Sequence, residues 1–94
     1  MYTLDDFLNR EIVINCETQK EADILMDILH NMNFLWADHT QLIGKTYFSS
    51  YLSETYYKIE ASGRLSYGGV SRYGSIYNVV KFKDIISENY KKEA

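Results

Sequence analysis

The chain has 94 residues, of which 46% are hydrophobic and 24% are charged, and its formal net charge is −3. This length suits one compact domain, residues 1–94, and a composition of this kind excludes an intrinsically disordered chain. The acidic balance argues against a nonspecific nucleic-acid binder, because such binding depends largely on Lys and Arg side chains that neutralise phosphates.

The cysteine content and the apolar runs predict the compartment. Cys16 is the single cysteine of the chain, so it can form neither an intramolecular disulfide nor a cluster of thiolate metal ligands. The N-terminal residues lack the basic and apolar regions of a signal peptide, and no apolar run approaches the roughly 20 residues of a membrane-spanning helix. We therefore expect a cytosolic protein with no cofactor, metal or membrane contact, and a small core leaves a homodimer open.

Two short elements are predicted at the start of the chain. Thr3 and Asp6 form a T-x-x-D pattern that predicts a capped helix over residues 4–9. The β-branched run at residues 12–14 then predicts a buried strand, which ends in Asn15 and Cys16. We expect this strand to lie centrally in the sheet.

The most definite local pattern is a capping box in which Thr18 and Glu21 satisfy free backbone amides at a helix start. It predicts a long helix over residues 19–32, which Asn33 would end in the left-handed conformation. One apolar stripe follows at helical spacing and consists of Ala22, Leu25, Met26, Leu29 and Met32.

The remaining predicted elements are mostly strands. Residues 34–36 predict a short strand, residues 37–40 a polar loop, and residues 41–54 a long connection of the kind that is often functional. Residues 55–60 and 64–67 predict a hairpin around a turn at 61–63. Residues 68–75 predict a glycine-rich loop, residues 76–82 a last strand, and residues 84–91 a short helix.

These elements predict an α+β domain in the order α-β-α-β-β-β-β-α. We expect a mostly antiparallel sheet of about five strands with the one long helix packed on one face.

The sequence contains no convincing catalytic or metal-binding set. His30 suits the end of the long helix, where its charge favours the helix dipole. Asp38 and His39 are adjacent in a loop, and a hydrolase or nuclease built on them would need a third ligand that the spacing does not supply. Cys16 reads as a buried core thiol. We therefore expect a non-enzymatic protein.

Tyrosine is the unusual component, since nine of the 94 residues are tyrosines and six of these lie between Tyr47 and Tyr73. Tyrosine is enriched at protein interfaces, although it also favours β-strands, so packing within the sheet is the competing interpretation. The expected partner-binding residues are Tyr47, Tyr51, Tyr67, Arg72 and Tyr73. An alternative site for a nucleotide would use Arg64, Tyr67, Arg72 and Tyr73.

Six segments spread over most of the chain carry a further signal, namely Ile14-Asn15-Cys16-Glu17-Thr18, Glu21-Ala22, Phe34-Leu35-Trp36-Ala37, Tyr57-Lys58-Ile59, Leu65-Ser66-Tyr67-Gly68 and Val79-Val80-Lys81-Phe82. Together these segments resemble small accessory proteins of phages and mobile elements in low-GC Gram-positive bacteria. The resemblance implies a setting in which small proteins bind and block host defence machinery, as anti-CRISPR proteins do.

Three functions remain open at this point. The first is an inhibitor that binds a host protein, such as a CRISPR effector or another immune protein, through an aromatic surface. The second is a sponge that sequesters a nucleotide signalling molecule. The third is a structural or regulatory phage protein whose tyrosines only pack the sheet.

Overall fold

The structure is a computed structural model that describes residues 2–73 and 78–85, with only the backbone described at residues 72 and 73. The helices and strands of these residues are α1 (Leu4–Leu8), β1 (Val13–Cys16), α2 (Gln19–Asn31), β2 (Thr55–Ile59), β3 (Leu65–Gly69), α3 (Val70–Tyr73), β4 (Val79–Lys81) and α4 (Phe82–Ile85). Two 3-10 turns, Phe48–Ser50 and Leu52–Glu54, lie between α2 and β2. The predicted α+β class is confirmed.

The sheet that the described residues form is mixed and has four strands in the order β3-β2-β1-β4. β1 is central, as predicted, and pairs antiparallel with β2 but parallel with β4. Two of these three pairings are antiparallel, so the expected mostly antiparallel sheet of about five strands is matched only roughly, with four strands among the described residues and β4 parallel to β1. A parallel neighbour requires a long crossover, and residues 17–78, which separate β1 from β4 and contain α2 and the β2–β3 hairpin, supply one.

The long helix has the ends that its sequence predicts. The Thr18 hydroxyl accepts a hydrogen bond from the Glu21 amide at 3.1 Å, and the Glu21 carboxylate accepts one from the Glu17 amide at 2.7 Å. Asn33 has a φ of 69° and donates to the His30 carbonyl, while the next amide, Phe34, donates to the Leu29 carbonyl. This is a Schellman motif, which satisfies the last carbonyls of α2.

The strand expected at residues 34–36 does not form. Trp36 makes only an isolated parallel bridge to Leu65, in which the Leu65 amide donates to the Leu35 carbonyl and the Ala37 amide donates to the Leu65 carbonyl. The chain then turns away, because the Asp38 carboxylate accepts the Thr40 amide at 3.1 Å. A polar turn so close to the bridge leaves no length for a strand.

The glycine-rich loop expected at residues 68–75 is also wrong in its first half. Gly68 and Gly69 are the last residues of β3, and Val70–Tyr73 is a helical turn. These glycines make room for neighbouring aromatic rings. The rest of that expected loop, the start of the expected last strand, and most of the expected C-terminal helix lie outside the described residues.

The core lies between α2 and the sheet. Fully buried side chains from β1, α2, β2 and the chain ends meet there, among them Ile14, Leu25, Leu29, Tyr57 and Phe7. Met32, predicted to complete the apolar stripe of α2, is instead 41% exposed because it lies at the C-cap. Within residues 2–73 and 78–85, no helix combines the length and apolarity needed to cross a bilayer.

Candidate recognition surface

Four aromatic rings pack together beside the outer strand of the sheet. The rings of Tyr47 and Tyr67 stack with their centroids 4.6 Å apart and their planes within 3° of parallel. The Trp36 ring is nearly perpendicular to both, with centroid distances of 4.9 Å and 5.8 Å, and Tyr51 lies tilted against Tyr67 at 6.2 Å. Such offset and edge contacts each stabilise a cluster by about 0.5–1.5 kcal/mol beyond the burial of area.

The segment before this cluster is held to the core through its backbone. The Trp36 indole N–H donates to the Lys45 carbonyl at 2.8 Å, and the Tyr57 hydroxyl donates to the Thr46 carbonyl at 2.6 Å. Both donors belong to buried side chains, with Trp36 3% and Tyr57 0% exposed. The long connection is therefore anchored at the two residues that precede Tyr47.

Two bulky residues of this connection have left-handed backbone conformations, Tyr47 with a φ of 55° and Leu52 with a φ of 53°. This region costs a residue with a Cβ roughly 1–2 kcal/mol, so the surrounding contacts have to impose it. They do so at the Leu52 carbonyl, which accepts the Thr55 hydroxyl at 2.8 Å. Thr55 itself is fully buried.

Gly69 leaves space for the Tyr51 ring. A Cβ atom added at Gly69 would lie 2.7 Å from Cδ1 of Tyr51, which is closer than real side chains approach. Gly69 therefore allows the Tyr51 ring to lie directly on the backbone of β3 while it also contacts Tyr67. Gly68 does the same on the opposite face of the sheet, where its Cα faces the ring of Tyr56.

The outer part of the cluster is accessible. Tyr51 is 40% and Leu52 59% exposed, while Tyr47 and Tyr67 are half-buried. We call Tyr47, Tyr51, Leu52 and Tyr67 together the aromatic surface. Leu52 follows Tyr51 in the chain, and exposed apolar groups that form a patch commonly mark an interaction site.

The electrostatic environment of the aromatic surface includes exposed carboxylates. Glu54 is exposed in the turn after Leu52, and Asp38 lies beside the aromatic cluster. Hydrogen bonds from the Thr40 hydroxyl and amide, with a further contribution from the Lys45 charge, hold the pKa of Asp38 below its usual range. Asp38 is therefore a carboxylate at neutral pH.

The structure brings together three of the five residues expected to bind a partner, Tyr47, Tyr51 and Tyr67. Arg64, named for the nucleotide alternative, precedes β3 and its carbonyl accepts the Glu60 amide at 2.7 Å. Strand alternation places Arg64 on the face opposite Tyr67, so these two do not share a surface. The side chains of Arg72 and Tyr73 lie outside the described residues.

Two members of the site could not be selected from the sequence. Trp36 supports the cluster, although its pattern suggested only a strand. Leu52 is the most exposed of the large hydrophobic side chains described, and its single signal is a leucine within an otherwise polar and aromatic loop.

The residues considered for catalysis occupy structural positions. Asp38 is bonded within its own turn, and His39, with a φ of 72°, is the left-handed residue of that turn. Burial raises the pKa of the Cys16 thiol well above its usual range, so it is protonated and unreactive at neutral pH. Across the part of the chain that the structure describes, no three His, Cys, Asp or Glu side chains form a group suited to a metal ion.

Leu52→Gly is expected to stabilise the protein by about 0.5–1 kcal/mol, because glycine relieves the left-handed strain and little burial is lost. The midpoint of urea unfolding at constant slope measures this change. Leu52→Ala retains a Cβ and serves as the control, with an expected change within about 0.5 kcal/mol. A destabilised glycine variant would show that the Leu52 side chain, despite its exposure, packs productively.

Comparisons with protein-family models, with curated proteins and with solved structures find no significant match to this chain. The resemblance to phage accessory proteins therefore stays a prediction. The aromatic surface is defined by the contacts of its own residues.

Proposed function

We propose that the protein is a non-enzymatic binding protein that docks on a host protein through the aromatic surface. The observation that carries this proposal is the assembly of Tyr47, Tyr51 and Tyr67 into one cluster, with Leu52 beside it on a strained and anchored loop. Aromatic anchors fixed in advance lose little conformational entropy on binding, which is the property of interface hot spots.

The host partner we propose is a bacterial immune effector, which this protein would inhibit by occupying a functional surface in the cytosol. The resemblance to phage accessory proteins supports this choice, and CRISPR effectors are one class within it. A chain with a net charge of −3 and an aromatic contact surface also suits effectors that carry basic nucleic-acid channels.

The nucleotide sponge is the weaker alternative. Arg64 immediately precedes β3, and its odd spacing of three residues from Tyr67 favours opposite sides of the strand, whereas a nucleotide site needs its cationic and stacking groups on one side. The protein-binding proposal uses residues that already touch one another.

The test is affinity capture from a Gram-positive host lysate with tagged protein, followed by identification of both proteins and small molecules by mass spectrometry. The captured protein is then purified, and its stoichiometry with this chain and its activity are measured. We expect a stoichiometric complex in which the activity of the effector falls.

A double variant tests the surface. Tyr51→Ala with Leu52→Ala is expected to weaken the purified complex by about 100-fold, because interface hot spots commonly contribute 2 kcal/mol or more. The matched control is Tyr2→Ala with Met32→Ala, which removes an aromatic and an aliphatic side chain that are 45% and 41% exposed elsewhere. A complex that forms without changing the effector's activity, or that survives the first variant, would contradict the proposal.

A further inference from the structure

A small cavity opens beside the aromatic cluster. Its volume is about 260 Å³, and its walls include the side chains or backbone of Trp36, Asp38, Tyr47 and Tyr67. Residues that carry aromatic rings and one residue that carries a carboxylate thus line the same space. This is the combination that attracts an organic cation, because ring faces and carboxylate both carry negative potential.

The chain already places one of its own cations next to this space. The Lys45 ammonium lies 5.9 Å from the centroid of the Tyr47 ring and 3.8 Å from Oδ2 of Asp38. Its shortest contact is a hydrogen bond of 3.1 Å to the Thr40 hydroxyl. The ion pair is long and both side chains are substantially exposed, so it stabilises little and a competing cation can replace it.

The carboxylate has one oxygen available for such a competitor. Oδ1 of Asp38 accepts the Thr40 hydroxyl at 2.6 Å and the Thr40 amide at 3.1 Å. These bonds fix the orientation of the carboxylate. Oδ2 is engaged by Lys45 only at the long distance given above.

We propose that this cavity receives an arginine side chain of the protein partner, which stacks on the tyrosine rings and displaces Lys45 from Asp38. The inference rests on the proposed function and specifies the chemistry of its partner. A planar, weakly hydrated guanidinium stacks on aromatic rings and donates to a carboxylate at the same time, which an ammonium does less well. The net charge of −3 favours the approach of a basic partner surface.

The direct test is an NMR titration of the full chain with N-acetyl-arginine methylamide, monitored at backbone amides and at the Trp36 indole N–H. The corresponding lysine and citrulline compounds are the comparison probes. We expect saturable shifts around Trp36, Asp38 and Tyr47, with the arginine compound at least about fivefold tighter than the uncharged citrulline compound.

Two substitutions should move the affinity in opposite directions. Asp38→Asn keeps the oxygen that accepts the Thr40 amide but removes the charge, and it should weaken arginine binding by about tenfold. Lys45→Met keeps much of the aliphatic stem, removes the competing cation and should strengthen binding by about threefold. If Asp38 had only a structural role, the two variants would not change the affinity for arginine in opposite directions.

Any other result of these experiments contradicts either the arginine proposal or the proposed function. Equal affinity for the citrulline compound, equal affinity for the lysine compound, or weaker binding by Lys45→Met would overturn the arginine proposal. A purified partner complex that depends on Tyr51 and Leu52 but not on Asp38 would also overturn it and leave the proposed function intact. Arginine binding without any host protein partner would leave the cavity assignment intact and remove the proposed function.

Discussion

Replacing Trp36 with alanine is expected to lower the free energy of unfolding by about 3–5 kcal/mol, the usual cost of truncating a buried Trp or Phe. The indole is 3% exposed and contacts the rings of Tyr47, Tyr57 and Tyr67. Its loss opens a cavity and also leaves the Lys45 carbonyl without its donor. A fall in Tm of roughly 12 °C or more should accompany this change in a domain of this size.

Trp36→Phe separates the contribution of the buried ring from that of the hydrogen bond to the Lys45 carbonyl. Phenylalanine keeps an aromatic ring in the cluster but cannot donate to the Lys45 carbonyl, so a smaller loss of about 1–3 kcal/mol is expected. Urea unfolding of both variants, followed by circular dichroism, provides the free energies. If Trp36→Ala costs less than about 1 kcal/mol, the indole does not support the long connection as described.

The second large effect concerns two adjacent glycines whose alanine variants should fail in different ways. At Gly68 a new Cβ would lie 2.8 Å from the ring of Tyr56, which is only 5% exposed and has little space to move. We expect Gly68→Ala to destabilise the protein by about 1–3 kcal/mol, the usual cost of overpacking a filled site. At Gly69 the obstructing ring is Tyr51, which is 40% exposed and can swing into solvent.

Gly69→Ala should therefore cost no more than about 1 kcal/mol of stability but displace Tyr51, and binding of the partner should weaken by about tenfold. Thermal unfolding and calorimetry with the purified partner distinguish the two variants. Equal stability of both alanine variants would refute the different mobility assigned to Tyr56 and Tyr51. If Gly69→Ala binds the partner as tightly as the unmodified protein, Tyr51 is not part of the contact surface.

The elements that the sequence predicts well are those encoded by neighbouring residues. The N-cap hydrogen bond between Thr18 and Glu21, the left-handed Asn33 and the turn that joins β2 and β3 all depend on residues within a few positions of one another. Helix capping and turn formation are local interactions, so a single sequence is sufficient to recognise them.

The errors concern partners that are distant in the chain. The direction of β4 depends on where the chain re-enters the sheet beside β1, and no periodicity of Val79 and Val80 encodes it. Gly68 and Gly69 suggested a flexible loop because glycine is the common residue of turns, whereas here each accommodates a tyrosine ring from elsewhere. A glycine can therefore indicate either a local turn or a close tertiary contact, and the sequence alone does not distinguish the two.

The candidate surface shows the same contrast between features that the sequence predicts and features that depend on distant contacts. The density of tyrosines was sufficient to select Tyr47, Tyr51 and Tyr67, but composition does not specify that Tyr47 stacks on Tyr67. Leu52 is 59% exposed and has a left-handed backbone that a leucine rarely adopts, and no propensity could have predicted that conformation.

The reactivity of Cys16 towards thiol reagents can be used to measure how often the protein opens around this residue. The thiol is fully buried at the end of the central strand, and the raised pKa keeps it from forming the reactive thiolate. A thiol-modifying reagent can reach it only when the packing around it opens. With one cysteine in the chain, the rate of alkylation therefore reports the opening of the core around Cys16, and a ligand that binds the closed form slows the reaction.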